Sequence, residues 1–201
     1  MNAIRAKLTG SAVPIYGDDI DTDRIVPARF LKEITFENMG KYLFCDARYT
    51  PEGQPKDFPL NSPKFKDATL MVVGRNFGCG SSREHAAQAV LRAGFKAIVG
   101  ESFSEIFSGN CKALGIPVVT VSRDTITELQ ALIEAEPTTQ FELNIAEKTL
   151  AAGTQSWPVG LSADRREAFV HGTWDSISLL SANRQAILDK AKTLPYLTDW
   201  M

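Results

Sequence analysis

Residues 69–121 read TLMVVGRNFGCGSSREHAAQAVLRAGFKAIVGESFSEIFSGNCKALGIPVVTV. Three short apolar runs in it, TLMVV, AIV and PVVTV, are of the kind that parallel sheets bury on both faces. Between them lie SSREHAAQAVLRAG and SFSEIFSGNCKALG. Each opens on a serine with a glutamate three residues on, Ser81 with Glu84 and Ser102 with Glu105, the pattern of a capping box. Each closes on a glycine, Gly94 or Gly115, suited to the position just past a helix end. The stretch therefore predicts strand, helix, strand, helix, strand with right-handed crossovers.

Outward from this core the signals weaken. A further helix is expected over 125–134, and FELNIAEKTLAAG (141–153) reads as a hairpin turning near Glu147 and Lys148. ADRREAFVHG (163–172) and ANRQAILDKAKTL (182–194) read as two helices, with Pro195 stopping the second. Before the core, GDDIDTDRIVP (17–27) and TPEGQPKDFPLNSPKF (50–65) read as loops around short strands. Repeats, low-complexity stretches and interdomain linkers are lacking, so the expectation is α/β in a single domain over 1–201 with a C-terminal helical extension.

Composition narrows the function classes. Of 201 residues, 44% are apolar and 23% charged, and 22 Lys and Arg against 24 Asp and Glu leave a net charge of −2. That balance implies no basic face for nucleic acid, and no apolar run is long enough to span a bilayer. MNAIRAKLTGSAVPIYG, at 1–17, lacks the apolar segment of a secretory signal, so a cytoplasmic location is expected. Cys45, Cys79 and Cys111 are odd in number, widely spaced and without a CxxC pair. They read as reduced, buried thiols rather than disulfides or ligands of an iron–sulfur cluster.

NFGCGSSREH (76–85) carries the chemistry. It leaves a buried strand and enters a helix, so it lies at the carboxyl edge of the sheet, where open α/β folds bind ligands. Free amides and the helix dipole attract anions there, Gly78 and Gly80 admit close backbone approach, and Arg83 offers a fork that matches a carboxylate. Local pattern alone also allows a plain reading, with a serine as cap and Arg–Glu as a solvated face. That reading leaves one hydroxyl to spare. His85 reads as a packed helix residue, since His171 is the only other histidine and no ligand spacing joins them. Cys79, between glycines, fills a small space.

In GDDIDTDRIVPARFL (17–31), four aspartates precede Arg24, but the glycine and distal glutamate of a calcium loop are missing. Asp18 and Asp19 read as turn formers that bond their own backbone. Asp23, where a turn needs it least, reads as positioning an arginine or hydroxyl in the site.

Together GDDIDTDRIVPARFL, NFGCGSSREHA and SFSEIFSGNCKALGIPVV, in this order and spacing, resemble the small subunits of 3-isopropylmalate dehydratase (isopropylmalate isomerase), in the aconitase superfamily. The resemblance extends to WDSISLL at 174–180. It implies the superfamily's swivel domain, a β/β/α three-layer sandwich with a mostly parallel central sheet. It implies half of a hydro-lyase that moves a hydroxyl between adjacent carbons of a small dicarboxylate in leucine biosynthesis, by dehydration and rehydration. The partner is a separate large subunit, in a heterodimer or heterotetramer, which holds a [4Fe–4S] cluster; this chain binds neither cofactor nor metal. Residue by residue, the resemblance makes Ser81 the catalytic base, places Ser82 and Arg83 against the substrate carboxylate or the base, and adds Asp23. ARFLKEITFENMG (28–40) matches the substrate-selecting loop, with Arg29, Phe30 and Leu31 as candidate contacts. DARY at 46–49 replaces a more usual DWRY and HGTWDS replaces NGLDS. A hydro-lyase for methylmalate, dimethylmalate or homoaconitate, or a non-catalytic anion-binding subunit, are the alternatives.

Overall fold

The computed structural model describes residues 4–198. Its centre is a parallel sheet in the order β2-β3-β4-β5, formed by Ala12–Ile15, Leu70–Val73, Ala97–Gly100 and Val118–Thr120. Every residue of β2, β3 and β4 is buried, so both faces of the sheet are covered. Pro14 is tolerated because β2 is an edge strand, where a missing ladder donor costs least. Helix α3 (His85–Arg92) joins β3 to β4 and α4 (Glu105–Ala113) joins β4 to β5. Helix α5 (Arg123–Ala135) runs back against β2 and β3. The expected alternation is present, and Gly94 and Gly115, with φ of 95° and 74°, end α3 and α4 as expected.

A second, antiparallel sheet has the order β1-β6-β7-β8: Lys7–Gly10, Phe141–Asn144, Thr149–Ala152 and Gln155–Pro158. Burial alternates along β6 and β7, as in a sheet with one face on the core. Their hairpin is the one expected, with Asn144 opposite Thr149 and Lys148 at φ 55° in the turn. The sequence did not announce β8; its Trp157 is buried and donates from Nε1 to Glu128 Oε2 of α5 at 2.9 Å, tying this sheet to that helix.

Three local expectations are corrected. Ser81 is not the cap of α3, which starts at His85 without a side-chain cap. Ser102 is not the cap of α4; Ser104 is, accepting from the Phe107 amide, because the Ser102 hydroxyl is taken by the Asn76 amide at 2.8 Å. Pro195 does not merely stop a helix. Arg184–Ala191 (α8) ends before it, and Pro195 opens the short α9 (Pro195–Thr198), a position whose missing N–H suits proline. Helices α6 (Ala163–His171) and α7 (Ser176–Ala182) complete the chain, and Ile177, Leu180, Tyr196 and Leu197 stand more than half exposed on the last helices.

Asp18 and Asp19 also differ from expectation: they bond across to other segments rather than to their own turn. Asp18 accepts from the Arg75 amide at 2.9 Å and from Arg123 Nη2 at 2.6 Å, while Asp19 takes Asn76 Nδ2 at 2.8 Å and Arg75 Nη2 at 3.2 Å. Arg123 also holds Glu101, so the loops after β2, β3 and β4 are tied to the start of α5. The Arg123 hydrogen bond, with the Arg75 amide, holds the Asp18 carboxyl below the usual carboxylate range. A depressed folded value means that its contribution is present above the unfolded value, near pH 4, and lost as pH falls through the folded one. Asp18→Asn should therefore lower Tm at pH 7, and the gap from the parent should shrink as melts are repeated down to pH 3. A gap constant with pH would remove Asp18 from that role.

Candidate active site

The parallel order of the sheet continues past the strand ends. Beyond β3 the chain over 76–82 belongs to no strand, yet it is bonded on both edges. On one side Gly78 N donates to Ile20 O at 2.7 Å and Thr22 N to Cys79 O at 2.8 Å. On the other, Phe77 N donates to Ser102 O at 3.1 Å and Ser104 N to Phe77 O at 3.0 Å. Parallel bridges pair Asp21 with Cys79 and Phe77 with Phe103. Gly78 has φ 76°, and a Cβ there would stand 2.3 Å from Phe107 Cγ, so only glycine lets α4 pack this closely.

The loop then delivers Ser81 just ahead of α3. Ser81 N donates to Thr22 Oγ1 at 3.0 Å, and Ser81 Oγ accepts from the Arg83 amide at 3.4 Å. Thr22 is buried, the first residue of α1 (Thr22–Ile25), whose cap Asp21 accepts from the Arg24 amide at 2.7 Å. Asp23, Leu31, Ser81, Arg83 and His85 line one small cleft with Thr22, Val26 and Ala86. Arg83 is exposed, and its guanidinium has no ion pair among the described residues. The Arg83 amide thus faces the Ser81 hydroxyl just ahead of α3, with the exposed Arg83 guanidinium in the same cleft, an arrangement that favours negative charge on oxygen.

The remaining expected residues divide. Ser82 is exposed outside the cleft, and its carbonyl accepts from Asn110 Nδ2 at 3.3 Å. Of the selecting segment, Leu31 alone among the three candidates reaches the Ser81 cleft. Arg29 pairs with Asp46, donating from Nη1 at 2.9 Å, and lines a separate cavity with Cys45, Asp46 and Tyr49. That pairing pushes the Asp46 carboxyl down and the Arg29 guanidinium up. Phe30 stacks on Tyr42 at 3.9 Å, with the Arg29 guanidinium 4.6 Å from its ring centre. Phe36, further along the segment, meets the His85 ring edge-on at 5.1 Å. His85 is packed, as expected, with its Nδ1 buried and unbonded, and His171 lies elsewhere, against Glu167 at 3.0 Å.

Thr22 and Asn110 are the residues that sequence reasoning missed. Thr22 lies inside the singled-out DTD run and Asn110 inside SFSEIFSGNCKALG, but no local pattern says that either side chain reaches the serine loop.

The thiols do not suit an iron–sulfur cluster. Cys111 is fully buried in α4, and burial pushes its thiol well above the ordinary range; Cys45 starts α2 (Cys45–Arg48), and Cys79 lies in the serine loop. Among the described residues no three His, Cys, Asp or Glu side chains gather as metal ligands would, and none of the described helices is long and apolar enough to cross a membrane.

Thr22→Val keeps the side chain's shape but removes the acceptor for the Ser81 amide. It should cost about 1–3 kcal/mol in denaturant unfolding, whereas Thr22→Ser should retain most of that stability. A Thr22→Val variant as stable as the parent, with the loss falling on Thr22→Ser instead, would show that the methyl, not the hydroxyl, holds the loop.

Comparison with known proteins agrees with this architecture. The aconitase C-terminal domain family matches residues 2–124. The 3-isopropylmalate dehydratase small subunit of a Thermus thermophilus strain is 46% identical over 189 residues, 94% of each chain. That of a Synechocystis strain is 46% identical over 191 residues, covering 95% of this chain and 94% of its own. A solved 3-isopropylmalate dehydratase from Methanocaldococcus jannaschii shares the fold with a TM-score of 0.65 at 24% identity, over 92% of this chain and 98% of its own. The chain is an α/β member of the aconitase C-terminal domain family and belongs among the small subunits of 3-isopropylmalate dehydratase.

Proposed function

We propose that this chain supplies the base side of a two-subunit hydro-lyase that interconverts 2-isopropylmalate and 3-isopropylmalate, with Ser81 as the base. The observation that carries the reading is Ser81 Oγ facing the Arg83 amide ahead of α3, in one cleft with the Arg83 and Asp23 side chains. The chain reads as one swivel-type domain with a C-terminal helical extension, working in the cytoplasm beside a large subunit.

The chemistry asks for what this cleft offers. The proton to be removed sits on a carbon beside a carboxylate and is weakly acidic. A serine alkoxide is basic enough, and it becomes accessible where an amide, a helix N-terminus and a guanidinium supply positive potential away from water. Arg83 also binds a substrate carboxylate, and Ser82, exposed beside it, serves as a further contact once the partner closes the site. Asp23, across the cleft, orients Arg83 or the substrate hydroxyl. Expulsion of hydroxide needs an electrophile, for which the thiols of this chain are not arranged. That part falls to the large subunit, where a [4Fe–4S] cluster is expected and supplies Lewis acidity when bound.

Turnover of 3-isopropylmalate should require both this chain and a large subunit with an intact cluster, assayed anaerobically. Ser81→Ala should reduce turnover by roughly 10²–10⁴-fold with assembly unchanged. An assembled Ser81→Ala complex of full activity would leave an anion-binding subunit as the better reading. An assembled parent complex inactive on isopropylmalate but active on methylmalate, dimethylmalate or homoaconitate would keep the architecture and move the substrate.

Leu31 is the selecting-segment candidate placed against the Ser81 cleft, and Phe30 is turned onto Tyr42. Leu31→Ala should shift kcat/KM between isopropylmalate and methylmalate by about 10-fold or more, while Phe30→Leu should leave that ratio nearly unchanged. The reverse order would place the side-group pocket away from Leu31.

A further inference from the structure

Helix α4 lies along the serine loop. Ser104 Oγ donates to Gly78 O, the Phe107 ring fills the space over Gly78, and Asn110 Nδ2 donates to Ser82 O at 3.3 Å. These residues are spaced by three, so they share one helix face. The first two shape the start of the loop. The third acts next to the proposed base.

A carbonyl oxygen can only accept, so Asn110 presents its amide nitrogen to Ser82. The Ser82–Arg83 peptide is planar and trans, and its C=O and N–H point in opposite directions. Holding the Ser82 oxygen toward α4 therefore aims the Arg83 N–H away from α4, and its acceptor there is Ser81 Oγ at 3.4 Å. Without Asn110 the peptide can rotate about its flanking φ and ψ bonds, and the amide leaves the serine. We propose that Asn110 is a positioning residue for proton abstraction: through the Ser82–Arg83 peptide plane it keeps the Arg83 amide on Ser81 Oγ.

The inference rests on Ser81 being the base. Its consequence is specific to the chemical step, because charge develops on Ser81 Oγ as the proton moves, and the amide stabilises that charge more than the neutral hydroxyl. Substrate binding in the ground state rests on the Arg83 guanidinium and the Ser82 hydroxyl, whereas the Asn110 bond is to the Ser82 backbone carbonyl.

The test uses the assembled two-subunit enzyme, comparing the parent with Asn110→Ala and Asn110→Asp, the second having the same shape but no donor at neutral pH. Kinetics are measured with 2-isopropylmalate and with the same substrate deuterated at the carbon that loses its proton. Both variants should lose about 10- to 100-fold in kcat with KM within about twofold, and the deuterium isotope effect on kcat should be at least as large as the parent's. The isotope effect is a ratio, so it holds even if a variant assembles less completely. Asn110→Asp with parent kcat, a KM that rises in step with the loss, or an isotope effect smaller than the parent's would each overturn the proposal. Ser81→Ala is run beside them. If it keeps its turnover, the base assignment falls and Asn110 with it; if the parent is inactive on isopropylmalate, the same kinetics are run on the malate analogue it does turn over, and a parent inactive on all of them takes both assignments down. If Ser81→Ala is inactive and Asn110→Asp is not impaired, only the Asn110 inference falls.

Discussion

The serine loop depends on hydrogen bonds that prolong a sheet beyond its strands. Phe77, Gly78 and Cys79 are paired on one side to the segment after β2 and on the other to the segment after β4. Remove either neighbour and a glycine-rich run before a helix has little reason to hold one shape, since backbone freedom at such residues costs most to restrict. With both in place, the loop inherits the order of β2, β3 and β4, and the serine appears at a fixed point relative to α3. Asp18, Arg123 and Glu101 brace the same three loops from outside.

This also explains why the site is split between segments distant in sequence. Thr22 belongs to the loop after β2, Ser81 to the loop after β3 and Asn110 to the helix after β4, yet the parallel order brings all three to one edge. Ligand sites at the carboxyl edge of α/β sheets arise from that geometry generally. Here the middle loop holds the candidate base, and its two neighbours hold the loop in place.

The alternation of apolar runs with helix-length segments over 69–121 was enough to read the parallel core, because strand burial and the glycine stops are local signals. Cap identity was not legible in the same way. Ser102 and Ser104 both suit a helix start, and the choice was made by Asn76, a residue on another loop, which claims the Ser102 hydroxyl. The same holds for Asp18 and Asp19, whose turn-forming habit lost to Arg75, Asn76 and Arg123. Ser81, Arg83 and Asp23 are candidates on motif resemblance alone, and the three line one cleft. Arg29 and Phe30 shared that resemblance but turn to Asp46 and Tyr42. Sequence adjacency to Leu31 says nothing about side-chain direction in a run of 3₁₀ turns over 28–32.

The bonds described for the serine loop join it to other segments of the same chain. To that extent the loop is ordered by the fold itself, and that share of its conformational entropy is lost on folding rather than on binding. A ligand or partner that meets a loop already held in this way has less ordering to supply from its own contact energy.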